Sequence, residues 1–173
     1  MDTLKQVFEF GGGYGSMARL FFQLGFKGRY VIFDFPYFSA LQRFFLRSIG
    51  MQADLDDACK AQASSEQGAG RICCLSDGEL LRATLAADSA AGGRLYLATW
   101  SISETPLSVR EQIMPQVRDY DYFLIAFQHQ FEEIDNRVYF HDWAESMGAG
   151  YQWTLLPIEH LPGNSYLFGR RSG

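Results

Sequence analysis

The chain has 173 residues, enough for one domain with a sizeable core, and its 47% hydrophobic and 16% aromatic content with only 20% charge excludes a disordered chain. A formal charge of −5, with no dense Lys/Arg run, gives no electrostatic support for nucleic acid or an anionic membrane as a partner. The apolar runs are strand-sized, short of the ~20 residues of a membrane span.

The N-terminus MDTLKQVFEF lacks the charged region, apolar core and cleavage site of a secretory signal. The three cysteines read as reduced core thiols, because the adjacent Cys73 and Cys74 point to opposite faces of one strand. A cytoplasmic protein is expected. No His/Cys spacing suggests a metal site.

In chain order, residues 4–10 form a short β-rich run ending in glycines. Met17, Leu20, Phe21 and Leu24 then follow helical spacing up to Gly25. Residues 30–33 read as a buried parallel strand closing on Asp34. Pro36 opens a helix with Phe38, Leu41, Phe45 and Ile49 on one face. Residues 54–70 have little periodicity and read as a loop or marginal helix.

Residues 71–75 form a third strand, and Ser76 to Glu79 match a capping box leading into a helix over 80–87. A fourth strand spans 95–100. Thr105-Pro106 opens a helix to about Val117, which Pro115 ends or kinks. Residues 122–127 are a fifth strand, 131–140 a small hairpin around Asp135-Asn136, and 142–147 a short helix. Two last strands, 151–156 and 165–168, have no helix between them, so one of them runs antiparallel. The alternation implies an α/β, doubly wound, mostly parallel sheet in a single domain over 1–173.

The stretch EFGGGYG puts a glycine turn between the first strand and its helix. There backbone N–H groups meet a ligand at the carboxyl edge of the sheet, and Gly11, Gly13 and Gly15 permit close approach. Asp34, ending the second strand, is placed to accept hydrogen bonds from ribose hydroxyls. A nucleoside-containing ligand follows, and two classes compete. GYGSMA matches the dinucleotide fingerprint, which favours a pyrophosphate and an NAD(P)-binding Rossmann domain. Glu9 opposes that: a carboxylate repels phosphate and attracts the ammonium of a methionyl tail. The ligand that joins a ribose to such a tail is S-adenosylmethionine.

The segment EFGGGYG resembles the glycine loop of class I S-adenosylmethionine-dependent methyltransferases. The stretches YVIFDFPYFSALQRFFL and LATWSISETPLSVRE are similar to bacterial sugar O-methyltransferases, and the similarity runs from Val7 nearly to the C-terminus. The resemblance implies a Rossmann-like, seven-stranded, mostly parallel sheet with a C-terminal antiparallel β-hairpin. It also implies S-adenosyl-L-methionine as cofactor and methyl transfer to a hydroxyl of a sugar or other small metabolite. Such enzymes carry further N-terminal segments covering the substrate, so this chain is expected to be minimal, a fragment lacking that segment, or one domain of something longer. A degenerate module with a binding role is the non-enzymatic alternative, and a homo-oligomer is a further expectation.

By the same resemblance Glu9, Gly11, Gly13 and Gly15, with Tyr14 between the glycines, hold the methionine end. Asp34 takes the ribose, Phe35 packs on the adenine and Asp77 meets the adenine amino group. Thr99 and Trp100, ending the fourth strand, stand near the sulfonium. Asp77 reads equally as a helix cap, and Trp100 as core. A sugar hydroxyl needs a general base. His129, after the fifth strand, is the first candidate, with His141 and Glu104 as alternatives. The aromatics Tyr37, Phe38, Phe44 and Phe45 read as core or a partner interface, and less readily as a sugar-stacking surface.

Overall fold

Three strands in the first half of the chain hand over to a helix through a turn former: the glycine run after residue 10, Asp34 ahead of Pro36, and Asp77-Gly78. The computed structural model describes residues 3–60, 70–87 and 93–172. Two compact units divide the chain, Met1–Arg94 and Leu95–Gly173.

The first unit runs β1 (Gln6–Phe10), α1 (Ser16–Gln23), β2 (Arg29–Phe33), α2 (Pro36–Ser48), β3 (Ala53–Leu55), α3 (Asp56–Lys60), β4 (Ile72–Leu75) and α4 (Gly78–Ala87). The strands lie in the order β3-β4-β2-β1, all parallel. Every residue of β1 is buried, as in a parallel strand covered on both faces. Glu9 pairs with Ile32 and Phe10 with Phe33, so the carboxyl ends of β1 and β2 finish level. All three cysteines are free and buried.

The second unit holds β5 (Arg94–Thr99), a 3-10 turn (Ser101–Glu104), α5 (Leu107–Ile113) and a second 3-10 turn (Met114–Val117). β6 (Tyr122–Gln128), a two-residue ladder of β7 (Gln130–Phe131) with β8 (Ile134–Asp135), α6 (Asn136–Ser146), β9 (Tyr151–Pro157) and β10 (Asn164–Arg171) follow. β5 and β6 are parallel; β10 is antiparallel to both β6 and β9. The antiparallel ending expected from the missing last helix is therefore present. Aromatic edges build the core here: Phe123 lies 5.4 Å from Trp143, Trp143 5.2 Å from Trp153, and Phe127 4.7 Å from Phe140, measured between ring centroids.

Local expectations differ from the structure in five places. Residues 54–70 open with an edge strand, β3, and one helical turn; residues 61–69 of that span lie outside the described residues. The cap of α4 is Asp77, whose Oδ1 accepts from the Glu79 and Leu80 amides at 2.8 and 2.9 Å. Ser76, the expected cap, instead gives its hydroxyl to Asp56. The expected hairpin over 131–140 shrinks to the ladder, because Asp135 caps α6 by accepting from the Arg137 and Val138 amides. The Thr105 hydroxyl donates back to the Ile102 carbonyl rather than capping α5; Pro115 ends that helix in a 3-10 turn, as expected.

The fifth difference is α2. Of its expected core stripe Phe38, Leu41 and Ile49 are exposed and Phe45 is half-buried against Tyr14, and the buried residues are Ser39, Gln42 and Leu46. Two of these three are polar, and each has a specific acceptor: the Ser39 hydroxyl donates to the Leu75 carbonyl at 3.0 Å, and Gln42 is described below. Among the described residues no helix is long and apolar enough to cross a membrane.

Candidate functional site

The site in the first unit is assembled from the ends of β1 and β2 and the start of α1. Gly11, Gly13 and Gly15 all have positive φ, at 71°, 56° and 94°. The loop is pinned by the Gly11 amide to the Phe33 carbonyl at 2.8 Å and the Gly15 amide to the Gly12 carbonyl at 2.9 Å. Gly15 caps α1 with no side chain bonded to the first-turn amides. Those N–H groups and the bare loop make a cradle suited to a polar ligand. Tyr14 extends outward from the loop, its ring edge-on to Phe45 at 5.1 Å.

Glu9 is fully buried at the last turn of β1. Its Oε2 accepts from the Tyr30 hydroxyl at 2.8 Å. Burial pushes its carboxyl from 4.5 up to about 7, with the nearby Asp34 charge adding to the rise and the Tyr30 bond opposing it. The Tyr30 hydroxyl is itself held well above its ordinary range, first by burial and then by Glu9. Among the described residues no cation stands against it, and a buried carboxyl group of this kind is the chemical complement of an ammonium group.

Asp34 is half-buried at the end of β2. Its Oδ1 accepts from the Phe35 amide at 2.8 Å and its Oδ2 from the Gln42 side chain at 2.9 Å. Burial raises its carboxyl, while hydrogen bonds from the Phe35 and Gly13 amides and from Gln42 hold it down. Phe35 is well exposed beside it, as a platform for an aromatic base would be. Asp77 is occupied in capping α4.

Sequence reasoning missed two residues here. Gln42 uses one nitrogen to reach both Asp34 and the Gly13 carbonyl, the latter at 3.0 Å. Two acceptors on that atom identify it as the amide nitrogen. Its signal was a glutamine amid aromatic residues on a helix. Gly12 was passed over because its neighbours carry the fingerprint. Yet a Cβ there would stand 2.6 Å from Ile32 Cγ2 and 3.1 Å from Glu9 Oε2.

In the second unit Thr99 ends β5 and Trp100 follows in a strained conformation, φ 64° and ψ −31°. Its indole donates to Asn164 Oδ1 at 2.7 Å and its amide to the Ala126 carbonyl at 2.7 Å. Its carbonyl takes the Ser103 hydroxyl at 2.6 Å and the Ser103 and Glu104 amides. Beneath this turn Arg110, fully buried, reaches the Thr105 and Ser103 carbonyls and Asn136 Oδ1 at 2.7–3.0 Å. Nothing in the sequence pattern marked that network.

His129 follows β6, its Nε2 2.9 Å from the Ser165 hydroxyl. His141 is exposed on α6, its Nδ1 3.1 Å from the Asp142 carboxylate. It borders a cavity of about 150 Å³ that Phe127, Arg137, Phe140, Trp153 and Leu155 also line. Glu104 is exposed at the end of its turn. Among the described residues no group of three or more His, Cys, Asp or Glu could hold a metal ion.

No protein-family model and no curated protein matches the chain. Solved structures do. The methyltransferase domain of bacterial CtHen1-CN superimposes with a TM-score of 0.62 at 14% identity, covering 99% of this chain and 92% of that one. The CurJ carbon methyltransferase gives 0.61 at 11% identity, over 100% and 50%. The mitomycin 7-O-methyltransferase MmcR gives 0.53 at 16% identity, over 98% and 49%. The chain thus spans about half the length of several structures it matches. These likenesses define the fold: a mixed α/β, mostly parallel sheet with antiparallel C-terminal strands. It is the class I methyltransferase fold.

Proposed function

We propose that the chain is an S-adenosylmethionine-dependent methyltransferase whose acceptor is a hydroxyl of a sugar or other small metabolite. The observation that carries the cofactor is Glu9: a buried carboxyl group with no cation beside it among the described residues, next to a glycine loop whose helix amides lack a side-chain cap. The residues present fit the group. Glu9 and the loop receive a cationic amino-acid tail, Asp34 receives ribose hydroxyls, and the exposed Phe35 receives the base.

The bound cofactor supplies an electrophilic methyl group on a positively charged sulfur. The chain's own work is alignment, which contributes several kcal/mol to lowering such barriers. Gln42 stiffens the loop against Asp34, so the donor pocket keeps its shape. His129 takes the acceptor's proton at its imidazole, with Ser165 fixing the ring. The hydroxyl acceptor is supported by the resemblance to sugar O-methyltransferases and by the likeness to an enzyme of oxygen methylation. Neighbours that methylate carbon share the fold, so fold alone does not choose the acceptor atom.

The test is calorimetry of the folded chain with S-adenosylhomocysteine and, separately, with NADH. Binding of the first and not the second supports the reading; the reverse makes the chain an NAD(P)-binding Rossmann domain.

A further inference from the structure

Among the described residues of the first unit, the outward face of α2 gathers four exposed large apolar side chains. Tyr37 is 88% exposed, Phe44 71%, Phe38 45% and Leu41 44%, on a helix whose inward residues include Ser39 and Gln42. A helix that buries hydroxyl and amide groups while exposing aromatic rings has its second apolar partner elsewhere. α2 carries no acidic residue, and its Arg47 is engaged with Asp54 at 2.6 Å.

We propose that this face is an isologous interface with a second copy of the chain, formed by antiparallel packing of two α2 helices about a two-fold axis at Leu41. The argument is the order of residues. In YFSALQRFF, Tyr37 and Phe38 stand four and three positions before Leu41, and Phe44 and Phe45 three and four positions after it. Reversal of the helix maps aromatic onto aromatic, so Tyr37 and Phe38 of one copy meet Phe45 and Phe44 of the other. Self-complementarity of this kind is what a two-fold contact requires.

Size agrees. With aromatic side chains presenting 150–250 Å² each when fully exposed, the four exposed residues offer about 500 Å² of apolar surface. A standard interface buries about 800 Å² per partner, of which roughly 60% is apolar. The stripe supplies that share on a helix of 13 residues, about 20 Å long. A net charge of −5 disfavours an anionic membrane as the occupant.

Sedimentation velocity of the chain at tens of micromolar should give twice the monomer mass. Phe44→Glu, and independently the milder Tyr37→Ser, should shift the protein to monomer with an unchanged far-UV circular dichroism spectrum. Leu156→Glu, on the exposed apolar strand β9, should leave the dimer intact. Leu41→Cys should form a disulfide-linked dimer under mild oxidation, since the axis brings residue 41 against its own copy. A monomeric wild-type chain, whether or not it binds vesicles, overturns the proposal. So does a dimer that both α2 variants leave intact.

Discussion

The side-chain nitrogen of Gln42 bridges the Asp34 carboxylate at 2.9 Å and the Gly13 carbonyl at 3.0 Å. One buried atom thereby ties the acid that ends β2 to the glycine loop that ends β1. Gln42→Leu keeps the volume and removes the donor. Water can reach both acceptors, so the loss is about 0.5–1.5 kcal/mol, the net worth of an ordinary hydrogen bond, read as a lower urea midpoint. Because Gln42 is one of the groups holding the Asp34 carboxyl down, that carboxyl should titrate higher in the variant, which a carbon-13 NMR pH titration reports.

Glu9 sets a pH dependence of stability. Its folded-state value of about 7 lies above its ordinary 4.5, so between these limits the folded chain binds more protons than the unfolded one. Stability from this group is therefore full below about pH 4.5 and falls as pH rises towards 7. Glu9→Gln, which can still accept from Tyr30, removes the loss. The variant should match wild type near pH 4.5 and exceed it by about 3 kcal/mol at pH 8, as denaturant titrations at both values will show.

The same group should release a proton when the proposed cofactor binds. A carboxyl titrating near 7 is about half protonated at neutral pH, and an ammonium placed beside it draws the value down. Calorimetry with S-adenosylhomocysteine at pH 7 should therefore show about half a proton released per site, read from the dependence of the heat on buffer ionisation enthalpy. Glu9→Gln should abolish that dependence and weaken binding about tenfold or more. A wild-type chain that binds without a buffer effect would separate Glu9 from the ligand.

Adjacent glycines should fail for different reasons. Gly13 has φ 56° with open space around it, so alanine there costs about 1–2 kcal/mol of backbone strain. Asparagine, which tolerates that conformation, should recover part of the loss. Gly12 has no such backbone, but its Cβ would collide with Ile32 and crowd Glu9. Alanine there costs about 1–3 kcal/mol by overpacking, and asparagine costs more. Thermal melts of the four variants distinguish the two patterns.

Much of this was legible in residue order. The glycine burst, the acid before it and Asp34 at the end of the next apolar run locate the site because they interrupt strong periodic patterns. The helix-free ending announces its antiparallel strands. What periodicity could not reveal is which side of α2 faces the sheet, because aromatic spacing fits an interface as well as a core. Gln42 and Ser39 decide it through acceptors on Gly13, Asp34 and Leu75, contacts 29 and 36 residues away for Gly13 and Leu75. The network of Arg110, Ser103 and Asn136 was hidden likewise, since its members join residues 26 and 33 positions apart. Capping was misjudged at Ser76 because Asp56, distant in sequence, claims its hydroxyl.

Trp100 carries a consequence for how the sequence can drift. Its backbone, at φ 64° and ψ −31°, is one that glycine adopts with less strain, and the indole bond to Asn164 is what glycine would forfeit. Folding and ring retention thus pull position 100 in opposite directions. In a saturation library screened only for soluble expression, glycine should be enriched there. Under a screen for binding of the proposed cofactor, tryptophan should return if the ring serves that site, and the contrast between the two outcomes measures what the ring is kept for.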